Sequence, residues 1–226
     1  MIRITDVVKH LLIINVLMYF GTLFVLKEPG GNTMNALINL QETEFMAWGK
    51  YILAMFFPGS EYFRPYQLVT HMFMHGDLTH LFFNMFGLFM FGPAIEARMG
   101  EKKFLTYYLV SGFGAMLLHL LVKYIEINVM HSVSPLTANV PMLGASGAIF
   151  GVLTAYGMLF PENRIMLLFP PIPMKAKYMV ILFAVFELFA GLGPFRGDGI
   201  AHFAHLGGAL TGFLLILYWR RSGKLF

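Results

Sequence analysis

Six long apolar stretches constrain this chain more than any other feature of its sequence. Each is bounded by charged residues or by Pro and Gly, and each approaches the roughly 20 residues that a helix needs to cross a bilayer. The predicted spans are residues 9–27, 72–95, 103–124, 144–160, 177–194 and 200–219. The sequence therefore predicts an all-α integral membrane protein, a bundle of six transmembrane helices in a single domain over residues 1–226.

The composition agrees with lipid as the solvent. Of the 226 residues, 58% are hydrophobic and 12% are charged, whereas an ordinary soluble domain is about 25% charged. The net charge of +4 would suggest nucleic acid binding in a soluble protein, but here we assign it to Lys and Arg at the membrane edges and expect no nucleic-acid partner. The chain contains no Cys, which excludes disulfide and thiolate chemistry.

The first apolar stretch allows two interpretations. Arg3 and Lys9 accompany its start, as in a signal peptide, but no small-x-small cleavage site follows it, and we favour a retained helix. The next segment, residues 28–71, carries many aromatic side chains among scattered charges. Because such side chains settle at the membrane interface, we expect short interfacial helices in this first loop.

The distribution of basic residues predicts the orientation of the spans. With the N-terminus in the cytoplasm, most of the 16 Lys and Arg residues fall in the inner segments. This positive-inside bias predicts that both termini are cytoplasmic. The second, fourth and sixth spans then run from the outer to the inner side.

Three polar clusters lie at the outer ends of those same spans. Their members are His71, His75, His80 and Asn84 on the second span, Gly144, Ser146 and Gly147 at the start of the fourth, and His202 and His205 at the start of the sixth. At 1.5 Å per helical residue, each cluster falls roughly 5–15 Å below the outer surface. Polar groups inside a membrane are unfavourable and tend to be functional, so their common depth predicts one site.

The residue types in these clusters indicate acyl transfer. A Ser can act as a nucleophile when a His removes its proton, and His80 and Asn84 can supply donors to the oxyanion that develops. We expect no Asp or Glu at that depth; Glu187 is expected near mid-membrane and is not assigned, so the prediction is a Ser–His dyad. Because the His must be neutral to accept a proton, activity should rise with pH through roughly 6–8.

Each cluster also has a structural interpretation. A Ser among small residues most often packs against a neighbouring helix, and His80 with Asn84 can form a simple interhelical hydrogen bond. The many His residues also allow a metal or ammonium transporter, but carboxylates at that depth and a metalloprotease HExxH motif are both missing from the sequence pattern.

Over residues 60–215, the order of the motifs resembles the rhomboid family of intramembrane serine proteases. The matching segments are Gly144-Ala145-Ser146-Gly147 for GxSG, Ala204-His205-Leu206-Gly207-Gly208 for AHxxG, His80-Leu81-Phe82-Phe83-Asn84 for HxxxN, and Glu96-Ala97-Arg98-Met99-Gly100 for ExRxG. Two positions depart from the family pattern. Phe150 replaces a Tyr that stacks on the catalytic His, and Phe63, before Arg64, replaces a Trp.

The resemblance implies a role for each matching residue. Ser146 would be the nucleophile. His205 would be the general base, preferred to His202 because only His205 lies in the AHxxG segment. The oxyanion hole would consist of His80, Asn84 and the Ser146 N–H. Supporting residues would be Gly144, Phe150, Gly208, His75 and His202, with Gly208 letting the sixth span approach the fourth. Arg64, Glu96 and Arg98 would be structural and brace the loop at either end of the fold. No metal and no cofactor is implied.

The predicted function is therefore an intramembrane serine endopeptidase that cleaves transmembrane or membrane-adjacent segments of other membrane proteins. Its partners would be single-span membrane proteins and the lipid bilayer. The predicted location is a bacterial plasma membrane, with the active site open to the outer side. The alternative is a non-proteolytic rhomboid-like protein that binds transmembrane helices, against which the intact Ser and His argue.

Overall fold

The computed structural model describes residues 4–24, 49–166, 172–193 and 201–225, and these residues are mainly helical. In chain order, their helices and strands are α1 (Asp6–Phe24), α2 (Gly49–Leu53), α3 (Gln67–Thr70), α4 (Leu78–Met99), α5 (Glu101–Tyr124), α6 (Ser146–Leu159), β1 (Arg164–Met166), β2 (Pro173–Lys175), α7 (Ala176–Leu192) and α8 (His202–Arg221). Short 3₁₀ or π turns occupy His71–Phe73, Ile125–Val129 and Pro135–Asn139. The two strands form one antiparallel pair in the described part of the chain. The predicted all-α membrane fold is confirmed.

Length and hydropathy identify the membrane helices. Among the described residues, α1, α4, α5 extended to Val129, and α8 are long and apolar enough to cross a membrane, and α6 is a shorter apolar helix. The 17-residue α7 exposes Ile181, Val185 and Phe189, which are each 58–59% accessible. Side chains three or four residues apart share one helix face, so α7 presents an apolar face that suits contact with lipid.

α1 and α4 have other bounds than the first two predicted spans, whose approximate extent in the membrane stays a prediction. α1 begins at Asp6 rather than at residue 9, and α4 occupies residues 78–99 rather than 72–95. Met74 has an extended backbone that interrupts helical structure before Leu78. α4 continues past its apolar stretch because the carboxylate of Glu96 has hydrogen-bond donors near the helix end. Residues 25–27, 194 and 200 of the predicted spans lie outside the described residues.

The chain divides into two compact units, and the first comprises residues 1–9, 86–122 and 146–226. Its central helix is α6, which is buried along most of its length and packs against α7 and α8. Glycines allow the close approach of α8 to α6: a Cβ on Gly208 would overlap the carbonyl oxygen of Gly147. This is the approach that the sequence predicts for Gly208, and it positions the start of α8 beside the start of α6.

Glu96 connects α4 to the start of α1 within the first unit. Its carboxylate accepts hydrogen bonds from Thr5 Oγ1 at 2.5 Å, Val7 N at 3.0 Å and Val8 N at 2.9 Å. An anion at a helix N-terminus satisfies N–H groups that have no acceptor within the helix and complements the helix dipole. Glu96 therefore caps a helix, which is a structural role, and its predicted bracing of a loop stays a prediction. Arg98, two residues later, is exposed.

An ionic contact of the first unit connects the segment after α6 to the start of α7. Exposed Glu162 pairs with Lys175 at 2.6 Å and also with Lys177. Hydrogen bonds from Lys175, and then from Lys177, lower the pKa of Glu162 from its ordinary value of 4.5 to about 2. Lys175 ends β2, so these contacts help to close the β-hairpin between the two helices.

The second unit comprises residues 10–85 and 123–145. Buried Gln67 organises its first loop, because its amide donates to the carbonyls of Ile52 and Tyr62 and accepts from Arg64 N. The Arg64 guanidinium donates to the carbonyls of Glu61 and Phe63, so its contacts lie within that loop. The predicted short helices occur at α2 and α3, whereas residues 28–48 of the loop lie outside the described residues. The single-domain prediction stays a prediction.

Candidate active site

Ser146 and His205 meet in the first unit. Ser146 is the first residue of α6, and His205 lies in the first turn of α8. The close packing of these two helices brings Ser146 Oγ and His205 Nε2 to 2.8 Å, which is a hydrogen-bond distance. In the Nδ1–H tautomer, Nε2 is free of a proton and can accept the hydroxyl proton of Ser146.

The His205 ring is also held by an aromatic side chain. Phe150 lies one helical turn after Ser146 on α6 and therefore on the same face. Its ring stacks on His205 with a centroid distance of 4.4 Å and an angle of 5° between the ring planes. The Phe that replaces the family's usual Tyr thus makes the stacking contact through its ring face.

The structure adds a carboxylate to this pair. Glu187 Oε1 on α7 lies 3.0 Å from His205 Nδ1, and Glu187 Oε2 lies 2.6 Å from His202 Nδ1. The His202 contact is a hydrogen bond. The His205 contact is close, but its ring N–H does not point at the oxygen well enough to form an aligned hydrogen bond.

The expectation that no acidic group lies at the depth of Ser146 is therefore wrong. Glu187 lies five residues before the end of α7 at Leu192, and His205 lies three residues after the start of α8. At 1.5 Å per residue, Glu187 lies roughly 7 Å from the end of α7, and His205 lies roughly 5 Å from the start of α8. Counting from the apolar stretch instead placed Glu187 near mid-membrane. A single acidic residue within the apolar α7 was the sequence signal that could have identified it.

The same three side chains have the composition of a metal site. Glu187 offers a carboxylate oxygen, and His202 and His205 each offer a ring nitrogen. These three atoms lie within 4.8 Å of one another. Two imidazoles and a carboxylate are ligands that Zn²⁺ accepts. The prediction that the site needs no metal therefore stays a prediction.

The remaining predicted site residues lie in the second unit. His80 and Asn84 are both in the first two turns of α4, where Asn84 Nδ2 donates to the His80 carbonyl at 2.9 Å. His80 Nδ1 accepts from Gly76 N at 3.4 Å, which places its ring proton on Nε2. Buried His75 contacts the His80 ring edge-on, with centroids 5.1 Å apart.

The backbone before Ser146 contains one residue that requires glycine. Gly144, in the second unit, has φ of +127°, a conformation that other residues rarely adopt. Its N–H donates to the His71 carbonyl at 3.0 Å, which fixes the loop two residues before the nucleophile candidate.

Comparison with known proteins identifies the family. The rhomboid domain matches residues 62–222, which is more than half of the chain. The chain belongs to the rhomboid family. Its likeness to the mitochondrial Rhomboid protein 1 of Saccharomyces cerevisiae is 32% identity over 147 residues, 65% of this chain and 40% of the yeast protein. The chain thus spans well under half the length of that relative.

Two bacterial relatives match a larger share of their own length. Rhomboid protease AarA of Providencia stuartii is 28% identical over 216 residues, 91% of this rhomboid chain and 69% of AarA. The putative rhomboid protease YdcA of Bacillus subtilis is 33% identical over 153 residues, 66% of this chain and 65% of YdcA. The family resemblance and the integral membrane location are confirmed, and the family includes proteins named as proteases.

Proposed function

We propose that this rhomboid protein is an intramembrane serine endopeptidase, with Ser146 as the nucleophile and His205 as the general base. The observation that supports this most is the 2.8 Å contact between Ser146 Oγ and His205 Nε2. A hydroxyl within hydrogen-bond reach of an imidazole that is itself held by further groups is the arrangement of an activated serine nucleophile.

The first half of the reaction forms an acyl-enzyme. Ser146 Oγ attacks the carbonyl carbon of the substrate peptide bond while its proton passes to His205 Nε2, and the carbonyl π electrons move to the oxygen. The tetrahedral intermediate then collapses as His205 returns the proton to the leaving nitrogen and the C–N bond breaks. Phe150 keeps the imidazole plane fixed during both proton transfers.

The oxyanion requires donors that are already oriented. The Ser146 N–H is the first of α6, and the first N–H groups of a helix have no intrahelical acceptor. We assign His80 and Asn84 as the side-chain donors, consistent with a His80 ring proton on Nε2 and an amide group on Asn84. Removing one such donor lowers kcat by roughly 10²–10³ in serine proteases, so Asn84→Ala should have an effect in that range.

The second half of the reaction needs water inside the membrane. Water attacks the acyl carbon, His205 takes its proton, and the Ser146 oxygen leaves and is reprotonated. α6 has 14 residues and is about 21 Å long, which is shorter than a hydrocarbon core of about 30 Å. With both termini in the cytoplasm, Ser146 at its start would lie below the outer surface, open to water from that side.

The substrate class follows from the surroundings of the site. We propose single-span proteins of a bacterial plasma membrane, cut within or beside their transmembrane segment. All carbonyls of a substrate helix are hydrogen-bonded internally, so the helix must unwind before Ser146 can attack. Substrates with small or helix-breaking residues near the cleavage site should therefore be cut faster.

Purified protein in detergent, incubated with a labelled single-span substrate, tests the proposal. Wild type should cleave the substrate, whereas Ser146→Ala and His205→Ala should reduce cleavage by at least about 10³-fold. Equal cleavage by wild type and both variants would overturn the proposal. If a folded wild type binds substrates without cleaving any, the protein is instead a binder of transmembrane helices.

A further inference from the structure

We infer that Glu187 is the positioning residue of the catalytic base: its carboxylate holds His205 as the Nδ1–H tautomer and stabilises the imidazolium that forms when Ser146 loses its proton. The working arrangement is thus three-membered, Ser146–His205–Glu187, with His202 orienting the carboxylate. This inference rests on the proposed function, because it assigns a role within that reaction.

The burial of Glu187 is the first argument. Glu187 is 7% exposed, and it is the one acidic residue among the 17 residues of α7. A buried carboxylate is strongly unfavourable unless it has hydrogen-bond donors or a cation near it. The described groups that meet it are the Nδ1 atoms of His202 and His205, so the carboxylate and the two rings stabilise one another.

The geometry of the two contacts gives them different roles. His202 binds Oε2 in a hydrogen bond of 2.6 Å, which fixes the rotation of the carboxylate. Oε1 then faces His205 Nδ1 at 3.0 Å, on the opposite side of the ring from the nitrogen that contacts Ser146. Gly191 lets α7 and α8 meet closely here, since a Cβ on it would lie 3.2 Å from His202 Cβ.

The imperfect alignment of the His205 contact is expected for the resting protein. Neutral imidazole has a weaker attraction to a carboxylate than imidazolium has, and catalytic hydrogen bonds often tighten only when the reaction proceeds. Protonation of Nε2 by Ser146 makes the ring a cation, which strengthens the attraction between Nδ1–H and Oε1 at 3.0 Å. Glu187 therefore stabilises the state that follows proton transfer more than the resting state.

Few other titratable groups of the packed helices can compete for this role. α6 contributes only Tyr156, near its C-terminal end, and α7 adds only Lys177 and Tyr178 at its far end. α8 adds Tyr218, Arg220 and Arg221 in its last turn. α5 approaches α8 at Gly207 and carries His119 and Lys123 towards its C-terminal end.

The distances favour a hydrogen-bonded cluster over a shared metal ion. Two ligands of a tetrahedral zinc ion, each bound at 2.0–2.1 Å, lie roughly 3.3 Å apart. His202 Nδ1 and Glu187 Oε2 are 2.6 Å apart, which fits a proton between them and leaves too little separation for two ligands of one ion. A metal site would therefore need the side chains to move apart.

The test compares Glu187→Gln, Glu187→Asp and Glu96→Gln in the full chain, by cleavage rate from about pH 5 to 9 and by thermal unfolding in detergent. Gln keeps the size but lacks the charge, so kcat should fall by roughly 10²-fold while KM changes less than about threefold. The acidic limb of the pH–rate profile should shift to lower pH, because the imidazolium loses its carboxylate. Asp should restore part of kcat and keep the limb at the wild-type pH.

Glu96→Gln is the matched control for a merely structural role. It makes the same substitution at the other buried glutamate of the first unit, which contacts Thr5, Val7 and Val8 and neither histidine of the site, so it should lower the unfolding temperature as Glu187→Gln does but reduce kcat much less, with no shift of the limb. Equal losses of kcat in the two variants, or a Glu187→Gln variant with wild-type kcat and pH profile, would overturn the inference. If the Glu187→Gln variant does not fold, Glu187→Ala, which also removes the carboxylate, takes its place, and a wild-type kcat and pH profile in that variant would overturn the inference.

Two further measurements distinguish this inference from the proposed function and from a metal site. If Ser146→Ala still cleaves the substrate, the proposed function fails; if Ser146→Ala is inactive and Glu187→Gln is fully active, only the inference fails. Wild type should keep its rate in excess EDTA. A rate that is lost in EDTA and restored by Zn²⁺ alone would show a metal at Glu187, His202 and His205, and would also overturn the inference.

Discussion

Two buried glutamates of the first unit look alike in the sequence but have different partners. Glu96 and Glu187 are 3% and 7% exposed, and each lies in a long apolar helix. Glu96 accepts from a hydroxyl and two backbone amides at the start of α1, none of which titrates near neutral pH. Glu187 contacts two imidazoles, one of which touches Ser146. The titration of the partners, rather than burial, decides which glutamate is suited to chemistry.

The largest effect that this comparison predicts is on stability at Glu96. Glu96→Ala leaves three donors at the start of α1 without their acceptor, and hydrogen bonds to charged groups contribute about 1.5–3 kcal/mol each, so we expect a loss of at least about 3 kcal/mol. Thermal or denaturant unfolding in detergent measures it. The folded fraction should keep the wild-type pH–rate profile, in contrast to Glu187→Gln. A shifted profile would break the distinction between the two residues.

The next effect concerns how His205 is held. Phe150→Ala removes the stacked ring at 4.4 Å while leaving Glu187 in place, and we expect kcat to fall roughly tenfold, equivalent to about 1.4 kcal/mol, a typical value for an aromatic contact. The pH–rate profile should not move, because no charge changes. Phe150→Tyr restores the family's usual residue and serves as the control, with a rate within about twofold of wild type.

A smaller effect separates the individual donors of Glu96. Thr5→Val removes the hydroxyl at 2.5 Å but keeps both backbone amides. We expect a stability loss of about 1.5 kcal/mol, the lower end of the contribution of one hydrogen bond to a charged group. A loss as large as that of Glu96→Ala would mean that the hydroxyl, rather than the helix start, is the main partner of the carboxylate.

The smallest effect belongs to a third glutamate, which is exposed. The pKa of Glu162 is lowered to about 2 by Lys175 and Lys177, so its contribution to stability is present above pH 4.5 and is lost as the pH falls towards 2. Because exposed pairs are screened by solvent, the loss should be slight. The unfolding temperature should drop slightly less between pH 5 and pH 3 in Glu162→Gln than in wild type; identical drops would contradict this assignment.

The contrast between the glutamates also shows which contacts can be predicted from the sequence. The apolar stretches predict each long helix because hydropathy is a local signal, and the resemblance of the GxSG and AHxxG segments to the rhomboid family implies the meeting of Ser146 and His205. The partners of Glu96 lie about 90 residues away in the chain, and no local pattern encodes that contact.

The depth of Glu187 depends on where α7 ends and α8 begins, which hydropathy does not define to within a helical turn. The start of α4 was missed for a similar reason. An extended residue at Met74 ends the preceding turn although the sequence around it is apolar. Packing and backbone geometry set both boundaries, and neither is visible in the pattern of apolar residues.

Covalent labelling of Ser146 tests the central claim most directly, since it needs no substrate. Wild-type protein in detergent is treated with a fluorophosphonate probe, and the labelled peptide is mapped by mass spectrometry. The account predicts a single adduct on Ser146, with labelling abolished in Ser146→Ala, strongly reduced in His205→Ala, and slowed in Glu187→Gln. Folded wild-type protein that is not labelled at Ser146, or is labelled equally fast in His205→Ala, would contradict it.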